Sequence, residues 1–163
     1  MEGTLTGIAA DAYVAPGATL VGDVRMASES SVFHGSVLRG EAEFVEIGFQ
    51  ANVQDNCLVE ATPGHPARIG ARTSLGHNAR VSGATVEPSS LIAIGATVLL
   101  GAHIGSNSII AANATVPEGM QVPPRSLVIA HGVILRQVTQ AEIDRIERGA
   151  TDYARLNREY RQS

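Results

Sequence analysis

Aliphatic residues recur along the chain at steps of six. Nineteen positions between residues 14 and 128 follow this step, with the phase shifting at three places. All nineteen are Val, Ile, Leu or Met, although these four types supply only 42 of the 163 residues. The positions are Val14, Leu20, Met26, Val32, Leu38, Ile47, Val53, Val59, Ile69, Leu75, Val81, Val86, Ile92, Val98, Ile104, Ile110, Val116, Val122 and Val128.

A period of six fits neither the α-helix nor a simple alternating strand. It suits a chain that turns a corner every six residues and points one aliphatic side chain inward on each of three faces. Small residues stand four positions after most rungs, where the chain must fold tightly: Ala18, Ser30, Ser36, Ala51, Cys57, Thr73, Ala79, Ser90, Ala96, Ala102, Ser108, Ala114 and Ser126. The pattern predicts an all-β domain over residues 1–135, a hexapeptide-repeat parallel β-helix of about six coils of 18 residues.

The periodicity changes to a helical one near residue 139. Thr139 and Glu142 form a capping box, in which each side chain can bond to the backbone N–H of the other residue. The apolar stripe that follows predicts a C-terminal helix, within residues 136–163, that packs on the β-helix. Gly149 is a candidate break in this helix.

Composition excludes several classes of protein. A chain of 163 residues has the length of one domain. Only 4% of its residues are aromatic, so we expect the core to be aliphatic. All 12 basic residues are Arg, the net charge is −4, and no basic run is present. We therefore expect no nucleic-acid binding and no lysine-based chemistry. Cys57 is the single cysteine, so no internal disulfide can form.

Location follows from the hydropathy pattern. The N-terminus lacks the basic and apolar regions of a signal peptide, and the apolar stretch 91–104 is too short for a membrane span. We expect no membrane association and a cytoplasmic protein.

Four stretches together resemble the γ-class carbonic anhydrase family. They are residues 37–41 (VLRGE), 52–55 (NVQD), 76–78 (GHN) and 153–160 (YARLNREY). The resemblance extends over roughly residues 9–160 and implies a left-handed β-helix. It also implies a homotrimer with zinc or iron at each subunit interface, held by three His from two chains.

The chain departs from the family at two of these three ligand positions. Glu60 stands where the first His is expected, His77 matches the second, and Ser82 replaces the third. Catalytic zinc normally has three strong protein ligands and one water, and a neutral hydroxyl is not one of its usual ligands. We therefore expect no cofactor. The alternative is zinc or iron at low occupancy, held by His77 and Glu60.

Other residues take roles that the resemblance implies. Gln54 lies beside the metal-bound solvent in the family and here could bond to a substrate. Arg39 and Asp55 are expected to pair at the trimer interface. Substrate binding is assigned to Asn78 and to His65, whose loop has four residues more than the six-residue step allows. His34, His103 and His131 have no assigned role, and Cys57 is expected to be packed.

Four hypotheses remain open for the function. The first is an enzyme of the lyase or isomerase type, in which His77, Glu60, Ser82 and Gln54 carry out metal-free acid–base chemistry on a small molecule. Proton transfer, dehydration and cyclisation all fit this chemistry. The second is a non-catalytic scaffold or subunit. The third is a metal-dependent carbon dioxide hydratase with unusual ligands, and the fourth is a hexapeptide acyltransferase.

Overall fold

A computed structural model describes residues 7–162 of the chain. The first six residues and Ser163 lie outside this range. The predicted absence of a signal peptide rests in part on those first residues, so this part of the prediction lies outside the described range. The described part contains eighteen strands and one helix. In order, they are β1 (Tyr13–Val14), β2 (Thr19–Met26), β3 (Ser31–Val32), β4 (Val37–Ile47), β5 (Asn52–Val53), β6 (Leu58–Glu60), β7 (Ala67–Ile69), β8 (Ser74–Leu75), β9 (Arg80–Ser82), β10 (Thr85–Val86), β11 (Leu91–Ile92), β12 (Thr97–Val98), β13 (His103–Ile104), β14 (Ile109–Ile110), β15 (Thr115–Val116), β16 (Gln121–Val122), β17 (Ser126–Ile129), β18 (Val133–Gln137) and α1 (Gln140–Gln162).

The strands stack in parallel into a three-sided prism. Face 1 consists of β1, β3, β5, β8, β11, β14 and β17. Face 2 runs from the first halves of β2 and β4 through β6, β9, β12 and β15. Face 3 runs from the second halves of β2 and β4 through β7, β10, β13 and β16. The predicted left-handed parallel β-helix of about six coils is confirmed.

The nineteen predicted rungs divide among the three faces in strict register. On face 1, for example, Val53 pairs with Leu75, which pairs with Ile92 on the next coil. Every rung from Met26 onwards is buried. Val14 is 37% exposed and Leu20 is half-buried, because they belong to the first coil at the open end of the prism.

The sequence ladder missed two large side chains of the core. Val24 and Val45 are fully buried and pair with each other, because β2 and β4 are long strands that bend from face 2 to face 3. A register shift between Gly22 and Val24 makes this bend. An alanine Cβ at Gly22 would lie 2.2 Å from the carbonyl oxygen of Gly40, so only glycine permits this close approach. The first phase shift of the ladder, between Leu38 and Ile47, therefore corresponds to the bend in β4.

Helix α1 covers the outer surface of face 1. Its buried side is formed by Ile143, Ile146, Ala150, Ala154 and Asn157. The helix continues through Gly149, so the candidate break at this residue is wrong: an isolated glycine lowers helix stability without interrupting the hydrogen bonds.

The predicted domain boundary between residues 135 and 136 falls inside β18. This strand pairs antiparallel with β17, and the helix begins only at Gln140. None of the described helices is long and apolar enough to cross a membrane.

Candidate functional site

Glu60 and Ser82 lie side by side at the end of face 2. Parallel pairing of β4, β6 and β9 places Arg39, Glu60 and Ser82 at successive positions on neighbouring strands. The Ser82 hydroxyl donates a hydrogen bond of 2.8 Å to Oε1 of Glu60. Two of the four predicted catalytic residues are therefore in direct contact, and the carboxylate already has a hydrogen-bond donor.

His77 lies at the corner between faces 1 and 2, directly above Asp55 of the preceding coil. The Asn78 N–H donates to the Asp55 carbonyl oxygen at 3.0 Å, and this bond stacks the two turns. Nδ1 of His77 lies 3.2 Å from Oδ2 of Asp55. The imidazole is 45% exposed and the carboxylate 41%, so a ligand can reach both.

This contact has a chemical consequence. When the imidazole is neutral, a carboxylate at Nδ1 favours the tautomer with the proton on Nδ1 and leaves Nε2 as the acceptor. Asp55 and His77 together form an oriented acid–base group.

Gln54 belongs to a polar chain on the outer surface of face 1. Its Nε2 donates to Oδ1 of Asn52 at 3.1 Å, and Nδ2 of Asn52 donates to Oγ of Ser74 at 2.8 Å. Asn52 is fully buried, so these two hydrogen bonds fix the orientation of the Gln54 amide. Gln54 lines a cavity of about 420 Å³ between face 1 and α1. The apolar part of the cavity wall is formed by Leu91, Ile109 and Ile146.

Tyr153 also lines this cavity, although the sequence analysis assigned it no role at the site. Burial raises the pKa of the Tyr153 phenol, and the nearby charge of Asp55 raises this pKa further. The same tyrosine begins the last of the four stretches that resemble the γ-class family, which is the signal that could have identified it. Tyr153 therefore joins Gln54 and Asp55 beside the site.

The predicted interface residues are not partners of each other within the chain. Arg39 binds Glu41 of its own strand, with Nη2 2.6 Å and Nε 3.1 Å from Oε2. Asp55 binds His77, as described above. The pairing of Arg39 with Asp55 between subunits stays a prediction.

Glu60 and His77 occupy different corners of the prism. His77 follows face 1, whereas Glu60 follows face 2, and the described contacts of His77 within the chain include Asp55. The acid–base pair of His77 and Glu60 that the sequence predicts would therefore form between two chains, and it stays a prediction.

The other histidines and the cysteine have structural contacts. His34 donates from Nδ1 to the carbonyl oxygen of Pro16 at 3.0 Å, and His131 forms a β-bridge with Thr115. His65 closes a tight turn with Thr62. Burial raises the pKa of the Cys57 thiol to about 12, and the residue is only 2% exposed, which excludes a nucleophilic thiolate near neutral pH.

The donor set does not fit a catalytic zinc site. The three positions that the resemblance pairs with metal ligands carry one imidazole, one carboxylate and one neutral hydroxyl, and the last two bond to each other. Residues 7–162 contain no group of three His, Cys, Asp or Glu that could hold a metal within one chain.

Comparison with known proteins identifies relatives among the carbonic anhydrases. No family model matches the chain. The mitochondrial γ carbonic anhydrase 1 of Arabidopsis thaliana is 36% identical over 153 residues, which are 90% of this chain and 56% of the relative. A protein from Methanocaldococcus jannaschii, described as a probable carbonic anhydrase, is 40% identical over 91 residues, 56% of this chain and 57% of that protein. The chain thus spans little more than half the length of these relatives.

Solved structures confirm the architecture. A Bacillus cereus protein, whose description names an acetyltransferase only provisionally, has a TM-score of 0.93 and 30% identity over 96% of this chain and 91% of that one. A hexapeptide transferase family protein from Anaplasma phagocytophilum has a TM-score of 0.90 at 28% identity, covering 94% of this chain and 92% of its own.

Proposed function

Since the chain belongs to the γ-class carbonic anhydrase-like family of hexapeptide-repeat β-helices, we propose that it has kept the family's site but uses it for metal-free proton transfer on a small molecule. The observation that carries this proposal is the contact between His77 and Asp55 at 3.2 Å. The activity, the homotrimer that completes the site and a cytoplasmic location are all parts of the proposal.

The proposed loss of the metal rests on the chemistry of the donors. Replacement of two imidazoles by a carboxylate and a hydroxyl removes the tetrahedral three-ligand set that lowers the pKa of a zinc-bound water to about 7. Glu60 and Ser82 satisfy each other instead, at 2.8 Å. Zinc or iron at low occupancy, on His77 and Glu60, is the alternative to a metal-free site.

His77 acts as the base in this proposal. Nε2 accepts a proton from the substrate, and Asp55 at Nδ1 stabilises the imidazolium that forms. The Gln54 amide, fixed by Asn52, and the side chain of Asn78 bind polar groups of the substrate. Glu60 of a neighbouring subunit, in its protonated form, donates a proton to another atom of the substrate, and transfer of the proton from His77 to Glu60 then restores both groups. Ser82 orients the Glu60 side chain. A dehydration, an isomerisation and a cyclisation all begin with the same proton abstraction.

The tautomer of His77 tests the proposal without knowledge of the substrate. Nitrogen-15 NMR of the neutral imidazole should show the proton on Nδ1 in the wild type. Asp55→Asn should reduce the population of this tautomer, whereas Glu87→Gln, beside His103, should leave the His77 signals unchanged. A neutral His77 that carries its proton on Nε2 in the wild type would contradict the proposal.

Proton transfer itself can be detected by hydrogen–deuterium exchange. A mixture of small hydroxy and carbonyl compounds in D2O should lose proton signals at one position of one compound when the protein is added. His77→Ala should slow this exchange by about 10²–10⁴-fold, and a chelator should have no effect. Exchange that requires zinc would favour the hydratase, and equal exchange in His77→Ala would favour the scaffold.

A further inference from the structure

A second polar pocket lies on face 3, at the corner where the chain passes from face 2 to face 3. Its volume is about 220 Å³. Basic and amide side chains line it, together with one hydroxyl: His65, Arg68, Thr85, His103 and Gln121. The described residues that line it include no Asp or Glu, although acidic residues outnumber basic ones in the chain by 16 to 12.

The β-helix itself aligns these side chains. Arg68, Thr85, His103 and Gln121 are cross-strand partners on β7, β10, β13 and β16, so they occupy one row on the outer surface of face 3. Parallel strands lie about 4.8 Å apart, which places Arg68 and His103 about 10 Å apart on either side of Thr85. At this separation Arg68 and His103 can contact the same small ligand from both sides.

Arg68 is held in place by an aromatic ring and a long ion pair. Its guanidinium lies over the ring of Phe44, 4.8 Å from the centroid. The carboxylate of Glu46 is 3.9 Å from Nε, at the outer limit of an ion pair. The Nη groups can therefore donate to a ligand, and guanidinium geometry matches a carboxylate or a phosphate.

His103 is oriented by Glu87. Its Nε2 donates to Oε1 of Glu87 at 2.8 Å, and Oε2 of the same carboxylate accepts the Ser106 N–H at 3.0 Å. These two bonds lower the pKa of the Glu87 carboxyl, the contact with His103 contributing most. With Nε2 engaged, Nδ1 of the imidazole can donate to a ligand in the pocket when the ring carries both protons.

Two glycines make room at the corner. Gly83 and Gly101 have φ angles of +52° and +70°. A Cβ added at Gly83 would lie 3.0 Å from Cβ of His65, and one added at Gly101 would lie 3.6 Å from Cε1 of its ring. The loop that carries His65 can therefore fold over this corner and bring its imidazole to the pocket.

We propose that this pocket binds a small oxyanion, the phosphate or carboxylate group of a metabolite, between Arg68, His103 and His65. The proposal does not depend on the chemistry at His77, because His77 lies at the corner between faces 1 and 2, whereas this pocket lies at the corner between faces 2 and 3, beside Ser82. Charge-assisted hydrogen bonds from Arg and His supply the affinity. Thr85 and Gln121 add neutral donors.

Calorimetric titration with inorganic phosphate, and separately with acetate, tests the proposal at about pH 6.5 and a constant ionic strength of about 0.1 M. One anion per chain should bind saturably. Arg68→Gln should weaken binding about tenfold, as expected for loss of a charge-assisted bond. Arg155→Gln, which removes an exposed charge on α1, should change it less than twofold, since general charge effects are screened.

The two anions distinguish the source of the ligand. Binding of phosphate alone favours a phosphorylated ligand, and binding of both favours a general oxyanion site. NMR signals of His65 and His103 should shift with the same saturation curve, while the signal of His34 stays constant. The proposal would be overturned if neither anion bound saturably. It would also be overturned if Arg68→Gln and Arg155→Gln weakened anion binding equally.

Discussion

Single residues in this protein acquire their roles from the stacking of coils. Asp55 and His77 are 22 positions apart, although the coil repeat is 18, because the loop around His65 adds four residues between them. The four extra residues were visible in the sequence, but the sequence could not show which side chains the loop brings together. The resemblance instead paired Asp55 with Arg39, a contact that needs a second subunit. The aliphatic rungs were predictable because they follow directly from the period.

The buried thiol gives a test at this scale. Cys57 donates to the Gly76 carbonyl oxygen at 3.1 Å, and its pKa of about 12 is raised mainly by burial. Alkylation by iodoacetamide at about pH 8 should be at least about a hundredfold slower in the native protein than in urea, because the thiolate is scarce and inaccessible. Mass spectrometry of the two samples measures this difference. Similar rates in both would contradict the packing described for Cys57.

At the scale of elements, the start of α1 was predictable and its continuity was not. The predicted capping box is confirmed: the Thr139 N–H donates to Glu142 at 2.8 Å, and the Glu142 N–H donates to Oγ1 of Thr139 at 3.3 Å. The candidate break at Gly149 was wrong, because packing of the buried stripe on face 1 outweighs the low helix propensity of one glycine. Strand β18 escaped the sequence argument since it follows neither period.

The capping carboxylate should make stability depend on pH. Contacts with Arg136, and then with Thr139, lower the pKa of Glu142 from 4.5 to about 2. A lowered folded-state pKa means that the contribution is complete above the unfolded value and disappears as pH falls through the folded value. Glu142→Gln should therefore lower the free energy of unfolding near neutral pH. Between about pH 4.5 and 2 the difference from wild type should shrink. A difference that stays constant across this range would contradict the assignment.

Gly149 and Gly48 form a matched pair for substitution. A Cβ at Gly149 would meet no atom within 4 Å, whereas a Cβ at Gly48 would lie 2.6 Å from the Ala71 backbone nitrogen. Gly149→Ala should raise the free energy of unfolding by about 0.5–1 kcal/mol, since alanine is the better helix former. Gly48→Ala should lower it by about 1–3 kcal/mol through overpacking. Urea denaturation of both variants measures the contrast, and destabilisation by Gly149→Ala would be inconsistent with a continuous helix.

At the scale of the whole molecule, the three faces have different surroundings. Helix α1 covers face 1, and the outward row of face 3 is polar, with Glu46, Arg68 and His103 among its members. Face 2 carries the Glu60–Ser82 pair at one of its edges and the His77 corner at the other. A cyclic trimer would join one edge to the other, because a heterologous interface closes when the rotation is one third of a turn. The fold was predictable from one chain, but this assembly is not determined by intrachain contacts.

Light scattering on the purified protein checks the assembly. We expect a particle of about 51 kDa, three times the chain mass of 17.0 kDa. Arg39→Ala should raise the dissociation constant of the trimer about tenfold, because Asp55 of the neighbouring subunit would lose its predicted partner. Arg155→Ala, on the exposed side of α1, is the control and should leave the mass unchanged. A wild-type mass of about 17 kDa would contradict the trimer.

The central claim is that this chain keeps the family's site without its three-imidazole metal set. The most direct test is the zinc content per chain after zinc loading and dialysis, measured for the wild type and for Glu60→His combined with Ser82→His. The double variant should retain about one zinc per chain, since two new imidazoles and His77 complete a tetrahedral set with water. The wild type should retain far less. A wild type that retains zinc at the level of the double variant would contradict the account.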